Sequence, residues 1–108
     1  MNIRKIRQTL RKEIGVSLRV YVRFKPKIKY EGSNCWGLYI EKPKSHTIEI
    51  VADMTPVQTF ATLAHEYIHA WQIENGYRRA RHNADKFPAW VRYFRQAYGV
   101  DIINMSIV

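Results

Sequence analysis

The residues of this 108-residue chain best suited to chemistry are two histidines four positions apart, with a glutamate directly after the first: His65, Glu66 and His69. Their surroundings predict a helix, on which two such histidines lie about 40° apart in projection and one turn apart along the axis. Both imidazoles can therefore bind one Zn²⁺. The glutamate does not easily become a third ligand, but its carboxylate reaches the space where a metal-bound water would lie. The pattern is typical of a zinc-dependent hydrolase.

The flanking sequence defines the helix that carries this pattern. Thr55 is a suitable N-cap, Pro56 suits the first helical position, and Gln58 completes a capping box. Gly76 predicts the end of the helix. On the helical wheel both histidines lie on an arc beside the apolar arc, whereas an ordinary core histidine would lie within it. This separation favours metal binding.

A catalytic zinc site needs a third protein ligand and one open position for water. His82 follows the helix after a short basic turn, close enough for the chain to double back over the metal-binding face, and we predict it as the third ligand. Glu74 and Asp85 are alternatives, because carboxylates complete many such sites. His46 lies in a turn before a strand, and we predict that it is a surface residue.

The sequence His-Glu-Tyr-Ile-His-Ala-Trp at 65–71, with His-Asn-Ala-Asp-Lys-Phe-Pro-Ala-Trp at 82–90, resembles the SprT-like zinc metalloprotease domain. That family includes the Spartan proteases, which act on DNA-protein crosslinks. The resemblance is best over residues 55–90. It implies that His65, His69 and His82 bind zinc and that Glu66 is the catalytic acid and base.

The chain departs from the family pattern in two places. One additional residue precedes Phe87, which affects how Phe87 and Trp90 pack beneath the third ligand. Larger family members also carry a zinc ribbon with paired cysteines, whereas Cys35 is the only cysteine here. We therefore expect any contact with DNA to come from the surface of the catalytic domain or from a partner.

Hydrophobic periodicity predicts a single α+β domain over 1–108, with one N-terminal helix, a small three-stranded sheet, the helix of the histidine motif and a C-terminal helix. The resemblance implies that this domain is of minimal zincin-like form. In zincin-type sites an edge strand beside the metal binds extended substrate, and either 37–40 or 48–51 could supply it. The tail over 100–108 is predicted as a short strand or an ordered extension. The other predicted elements are a helix over 2–14, strands over 16–24, 36–40 and 47–51, and helices over 55–75 and 88–98.

Composition limits the class of protein. The single cysteine excludes an internal disulfide framework and a cysteine-rich zinc site, and a reduced thiol fits the cytosol. No run of about 18 apolar residues is present, and the basic start lacks the apolar segment of a secretory signal. We predict a cytoplasmic protein that could associate with the nucleoid or with other DNA.

The net charge of +9 is unevenly distributed, since residues 1–30 contain many basic residues and only one acidic residue, Glu13. Such a field attracts polyanions, and aromatic residues among the charges could stack on bases, so single- or double-stranded DNA is the predicted partner. There are two alternatives to DNA: the basic residues could attract an acidic protein substrate, or they could form a solvated face that only maintains solubility. The predicted nucleic-acid contacts are Arg4, Arg7, Arg11, Lys25, Lys27, Lys29, Arg78, Arg79 and Arg81.

These patterns predict a zinc-dependent metallopeptidase acting on DNA-associated or DNA-crosslinked proteins. Glu66 would accept a proton from water during attack and later deliver it to the leaving amine. Three alternatives stay open: a non-catalytic, zinc-stabilised module that binds nucleic acid or protein, a regulator of a larger protease, and another zinc hydrolase such as a nuclease.

Overall fold

Three helices and several short strands form an α+β fold in the computed structural model, which describes residues 2–78 and 80–107. In this part of the chain no helix combines the length and the apolar character needed to cross a bilayer. The helices are α1 (Ile3–Leu10, continued by a π turn over Arg11–Gly15), α2 (Pro56–Glu74) and α3 (Phe87–Tyr98). The strands are β1 (Arg19–Lys25), β2 (Ile28–Tyr30), β3 (Ser33–Cys35), β4 (Gly37–Glu41), β5 (Ser45–Val51), β6 (Val100–Asp101) and β7 (Ser106–Ile107).

The central sheet is mixed and has the strand order β1, β5, β4. Strand β5 is parallel to β1 and antiparallel to β4, so its main chain is hydrogen bonded on both sides. Of the two segments that the sequence offered as a docking edge, 48–51 is therefore internal to the sheet. The segment 37–40 belongs to β4, which is an edge strand.

Helix α2 packs against this sheet and begins where its capping signals predicted. The Thr55 hydroxyl accepts from the Gln58 N–H, and the Gln58 side chain accepts from the Thr55 N–H, which completes the capping box. Gly37 sets the distance between α2 and β4, because a Cβ atom at this position would lie 2.6 Å from Cγ2 of Thr62 and 3.2 Å from Oε2 of Glu66. A glycine is thus required for β4 to lie this close to the helix.

The N-terminal helix is confirmed. Asn2 caps α1 by accepting from the Arg4 and Lys5 N–H groups, and the apolar side of the helix buries Leu10 in the core. The strand predicted from residue 16 begins later, at Arg19. The expected buried face holds for Val20 but fails at the end of the strand, where Phe24 is half exposed.

Two small hairpins complete the fold. Strands β2 and β3 form a hairpin that the sequence analysis missed, in which Glu31 (φ 51°) and Gly32 (φ 81°) both adopt left-handed backbone conformations. An Asn-Gly or Asp-Gly pair would have indicated such a turn. Here the first turn residue is Glu31, and glutamate rarely adopts positive φ. At the C-terminus β6 and β7 pair antiparallel, so the short-strand alternative for the tail is the correct one.

The prediction that His46 is a surface residue is wrong, since only 1% of it is exposed. Its Nδ1 lies 2.7 Å from the Tyr39 hydroxyl and its Nε2 lies 2.7 Å from Oε2 of Glu74. The Glu74 carboxylate also accepts from the N–H groups of Ser17 and Leu18. This buried network joins β4, β5, the end of α2 and the approach to β1.

The error has a simple cause. The segment Lys-Ser-His-Thr contains polar residues typical of a turn, but β5 already begins at Ser45. Residues two apart on a strand face the same side, so His46 shares the core-facing side of β5 with Ile48 and Ile50, both fully buried. A buried histidine needs partners for its polar nitrogens, and Tyr39 and Glu74 supply them.

We expect Glu74→Gln to lower the free energy of unfolding by about 1–3 kcal/mol at pH 7, because a charged hydrogen-bond acceptor is lost. Burial raises the pKa of Glu74, but hydrogen bonds from Ser17, His46 and Leu18 outweigh it and hold the pKa below its ordinary value. A depressed folded-state pKa stabilises the protein above the unfolded pKa, and this contribution disappears as the pH falls through the folded-state value.

The difference between wild type and Glu74→Gln should therefore be largest above about pH 5 and shrink toward zero below about pH 4. Urea unfolding followed by circular dichroism at several pH values measures it. Glu41→Gln is the matched control, because Glu41 is an exposed glutamate at the end of β4. A difference that grows in acid would contradict the assigned role.

Candidate metal centre

Two elements bring the three predicted histidine ligands together. Helix α2 carries His65 and His69 on one side, and the loop between α2 and α3 folds back to place His82 against them. The Nε2 atom of His82 lies 2.9 Å from Nε2 of His65 and 3.0 Å from Nε2 of His69. Among the described residues these three side chains form a group whose potential ligand atoms all lie within 4.8 Å of one another.

The second nitrogen of each helix-borne imidazole determines which atom faces the centre. Nδ1 of His65 lies 2.9 Å from the carbonyl oxygen of Ile102, and Nδ1 of His69 lies 2.8 Å from Oε1 of Gln72. Both oxygens only accept, so both Nδ1 atoms carry the proton and donate. The Nε2 lone pairs of both rings are therefore directed at His82.

This arrangement fits a metal ion. If Nε2 of His82 carries a proton, that N–H can point along only one of the two short contacts and the other has no hydrogen bond; if it carries none, both are contacts between lone pairs. A divalent cation would accept all three lone pairs at once. Burial also lowers the pKa of His65 to about 4 and that of His69 to about 3, and it lowers the pKa of His82. The imidazoles are thus in the neutral form that binds metals.

Gln72 holds the centre together and was missed in the sequence. It is fully buried one turn after His69, and its side-chain amide donates to the carbonyl oxygens of Arg81 at 2.9 Å and Asp85 at 3.2 Å while its Oε1 accepts from His69. One side chain therefore orients an imidazole and also fastens the loop that carries His82. The available signal was a polar residue three positions after a ligand, on the same side of the helix.

Phe87 supports all three imidazoles from below. Its ring centroid lies 4.9 Å from those of His65 and His69 and 5.1 Å from that of His82, and the side chain is fully buried. Directly before Phe87, Asp85 (φ 58°) and Lys86 (φ 70°) both adopt left-handed backbone conformations. Such conformations cost about 1–2 kcal/mol each for residues other than glycine.

Trp90 does not take part in this contact. Its ring packs against Trp71 of α2, with ring centroids 5.7 Å apart, and against Phe94 of α3. Trp90 therefore joins α2 to α3, whereas Phe87 alone among the aromatic residues of α3 contacts the three imidazoles.

Glu66 lies in the same cleft as the three histidines. The cleft has a volume of about 490 Å³ and is walled on the opposite side by β4 and by the β2–β3 hairpin, including Tyr30 and Tyr39. The Glu66 carboxyl is only 5% exposed and lies beside Gly37. Burial raises its pKa to about 8. A carboxyl group that exchanges a proton near neutral pH thus lies next to the three imidazoles.

The alternative carboxylate ligands lie elsewhere. Glu74 is held by His46 and by the chain before β1. Asp85 lies outside the group of potential ligand atoms, and its carboxylate is 3.9 Å from the Arg81 guanidinium. Tyr67, in the middle of the histidine motif, faces α1 rather than the cleft, since it lines a cavity with α1 residues.

The basic residues predicted to contact nucleic acid lie on separate elements. Arg4, Arg7 and Arg11 line a cavity on α1. Lys25 lies 3.6 Å from Glu49, so its charge is partly neutralised. Arg79 lies outside the described residues. The remaining predicted contacts are exposed, on or beside β2 and in the loop after α2: Lys27, Lys29, Arg78 and Arg81.

Comparison of the chain with protein-family profiles, with curated proteins and with solved structures found no match.

We expect Gln72→Leu to weaken binding of Zn²⁺ about 10- to 100-fold, the usual effect of losing a group that orients a ligand. The variant keeps the size of the side chain but releases both the His69 imidazole and the loop that carries His82. Competition with a chromophoric chelator measures the affinity, and circular dichroism checks that α2 is retained. Gln96→Leu, at an exposed position of α3, is the matched control. Equal affinities of the two variants would show that Gln72 does not position the ligands.

Proposed function

We propose that this chain is a zinc-dependent endopeptidase with a zincin-like fold, similar to the SprT-like domain, and that it acts on DNA-associated or DNA-crosslinked proteins. One observation carries the proposal: three neutral imidazoles converge through Nε2 in a cleft that also contains a buried carboxyl group. His65, His69 and His82 would hold the ion. Zinc bound there lowers the pKa of a coordinated water toward about 7 and polarises a carbonyl group.

Glu66 supplies the proton transfer. A general acid-base catalyst is most effective when its pKa lies near the working pH, and the buried Glu66 carboxyl meets this requirement. It accepts a proton from the attacking water and releases it to the leaving amine. Gln72 and Phe87 keep the imidazoles in place during this exchange, since both contact ligand rings directly.

The edge strand β4 supports a peptide substrate. Its residues Gly37, Leu38 and Tyr39 line the cleft beside Glu66, and one side of the strand is not paired within the central sheet. An extended peptide can add to such an edge through main-chain hydrogen bonds, which bind many sequences without strong side-chain preference. The β2–β3 hairpin forms the facing wall, so the cleft suits a segment of unfolded chain.

DNA as the site of action is supported by charge. The chain carries nine more basic than acidic residues, and basic side chains occur both on α1 and in the loop that carries His82. A polyanion held by these residues would keep proteins bound to it close to the cleft. The same metal contacts also support a non-catalytic module, because an ion would fasten the loop before α3 to α2.

The first test of this proposal is metal content. Purified protein should hold about one zinc per chain, since three histidines and one open position form a complete catalytic site. His82→Ala should lose more affinity than the about 10- to 100-fold typical of changes outside the ligand set. Elemental analysis after dialysis and chelator competition measure both values. Asn83→Ala, the exposed neighbour, is the control. Unchanged zinc affinity in His82→Ala would contradict the ligand assignment.

The second test separates catalysis from binding. Glu66→Gln should retain zinc and fold but lose cleavage by at least about 100-fold, the lower range of general acid-base contributions. Cleavage of DNA-binding proteins is followed by gel electrophoresis with single-stranded and with double-stranded DNA. Glu41→Gln should cleave like the wild type. If zinc-loaded wild type cleaves no protein under either condition, the peptidase proposal fails. Equal biological activity of wild type and Glu66→Gln would select the non-catalytic module.

A further inference from the structure

Helix α2 has a second functional side, away from the metal ligands. Tyr67 follows His65 by two positions, so it projects about 200° around the helix from it. There it meets α1 and closes a cavity of about 250 Å³. The other residues that line this cavity are Arg4, Arg7, Gln8 and Arg11, and no acidic side chain is among them.

Two of the arginines are fixed in place by main-chain carbonyl groups. Nη2 of Arg7 donates to the carbonyl oxygen of Val20 at 2.6 Å, and Nη2 of Arg11 donates to that of Ser17. A guanidinium has five N–H donors, so each keeps several for another acceptor. Because the side chains are already held, they lose less conformational freedom when they bind an anion.

The Tyr67 hydroxyl gives a second, independent indication of a ligand. The side chain is only 2% exposed, and a phenol buried to this degree normally has a hydrogen-bond partner. Within residues 2–78 and 80–107 its oxygen forms no hydrogen bond to protein, yet no fully enclosed side-chain nitrogen or oxygen lacks a partner. Tyr67 lines the cavity together with the arginines, so a ligand bound there could accept a hydrogen bond from its hydroxyl.

We propose that this cavity binds a phosphate group and that the phosphate belongs to a nucleic-acid backbone. Every polar side chain around the cavity can donate, and arginine forks bind phosphate oxygens in bidentate fashion. The three arginines at positions 4, 7 and 11 follow one side of α1 over about 10 Å. A row of this length suits successive phosphates of a strand.

The phosphate cavity lies on the side of α2 that faces α1, and the metal centre lies on the side that faces β4, so the two sides would bind different partners. The diameter of a helix, about 10 Å, separates the phosphate cavity from the metal centre. A strand along α1 would therefore leave the cleft between α2 and β4 free for peptide. The nucleic-acid source of the phosphate rests on the proposed function, whereas the phosphate site rests on the cavity alone.

The test compares two cationic substitutions on the same helix. Affinity for a fluorescent 20-nucleotide single-stranded DNA is measured by anisotropy over a range of chloride concentrations. Arg4→Gln should weaken binding about tenfold and reduce the slope of log Kd against log salt by about one. Lys5→Gln removes the same charge from an exposed position outside the cavity and should change Kd less than about twofold. Tyr67→Phe, which removes only the hydroxyl, should also weaken binding.

A second measurement identifies the source of the phosphate. Inorganic phosphate should displace the oligonucleotide from wild type more than chloride of equal ionic strength does, and this excess should vanish in Arg4→Gln. Equal losses in Arg4→Gln and Lys5→Gln would reduce the effect to general charge and overturn the site. Calorimetric binding of inorganic phosphate that depends on Arg4, with oligonucleotide affinity unchanged, would overturn the nucleic-acid source.

These outcomes are independent of peptidase activity. The oligonucleotide Kd should be the same in wild type and Glu66→Gln, because Glu66 lies in the cleft on the other side of α2. Loss of cleavage would therefore leave the phosphate measurement unaffected, and failure of the phosphate site would leave the zinc measurements unaffected.

Discussion

Neutral imidazoles avoid bringing their lone pairs together, and a fold that forces three of them into contact must hold each ring firmly. Here a different contact holds each helix-borne ring. The carbonyl oxygen of Ile102 accepts from His65, and the Gln72 side chain accepts from His69, while the Phe87 ring packs beneath both and beneath His82. These supports come from the C-terminal segment, from α2 and from α3. These three regions of the chain therefore meet around the imidazoles. A bound cation would replace the repulsion between the imidazole lone pairs with coordination bonds, which would stabilise the fold.

The close approach of β4 excludes solvent from Glu66. Burial raises the pKa of its carboxyl group to about 8, a value that suits the proposed proton transfer. Gly37 provides that exclusion because its missing Cβ lets the strand cover the carboxyl group and the neighbouring Thr62. A side chain there would push the strand away from α2. The edge strand therefore serves twice, as a cover for the carboxyl group and as a wall of the cleft.

Local signals in the sequence predicted the elements well. The capping box of Thr55 and Gln58 fixed the start of α2, and Gly99, with φ of 64°, ends α3 as expected. These features depend on a few adjacent residues, so they can be recognised without the fold. The mutual placement of His65, His69 and His82 was predicted as well, because two of the three lie on one helix and the third follows a short loop.

The features that escaped prediction depend on contacts between distant segments. His46 looked like a turn residue because its partner Glu74 lies 28 positions away, and the carbonyl of Ile102 lies 37 positions from the histidine that it orients. A backbone carbonyl carries no residue signature at all, so no sequence pattern could have identified it.

Helix α2 lies between the cleft and the cavity that the α1 arginines line. Tyr67 belongs to the buried core on the side of α2 that faces α1, and the body of the helix lies between it and the cleft. Because α1 packs against that side, α2 separates the arginines of α1 from His65 and His69. The proposed phosphate cavity and the proposed metal centre would thus be carried by one helix and keep a constant separation. A strand bound along α1 would therefore present its attached proteins to the cleft from a constant direction, as the proposed action on DNA-associated proteins would require.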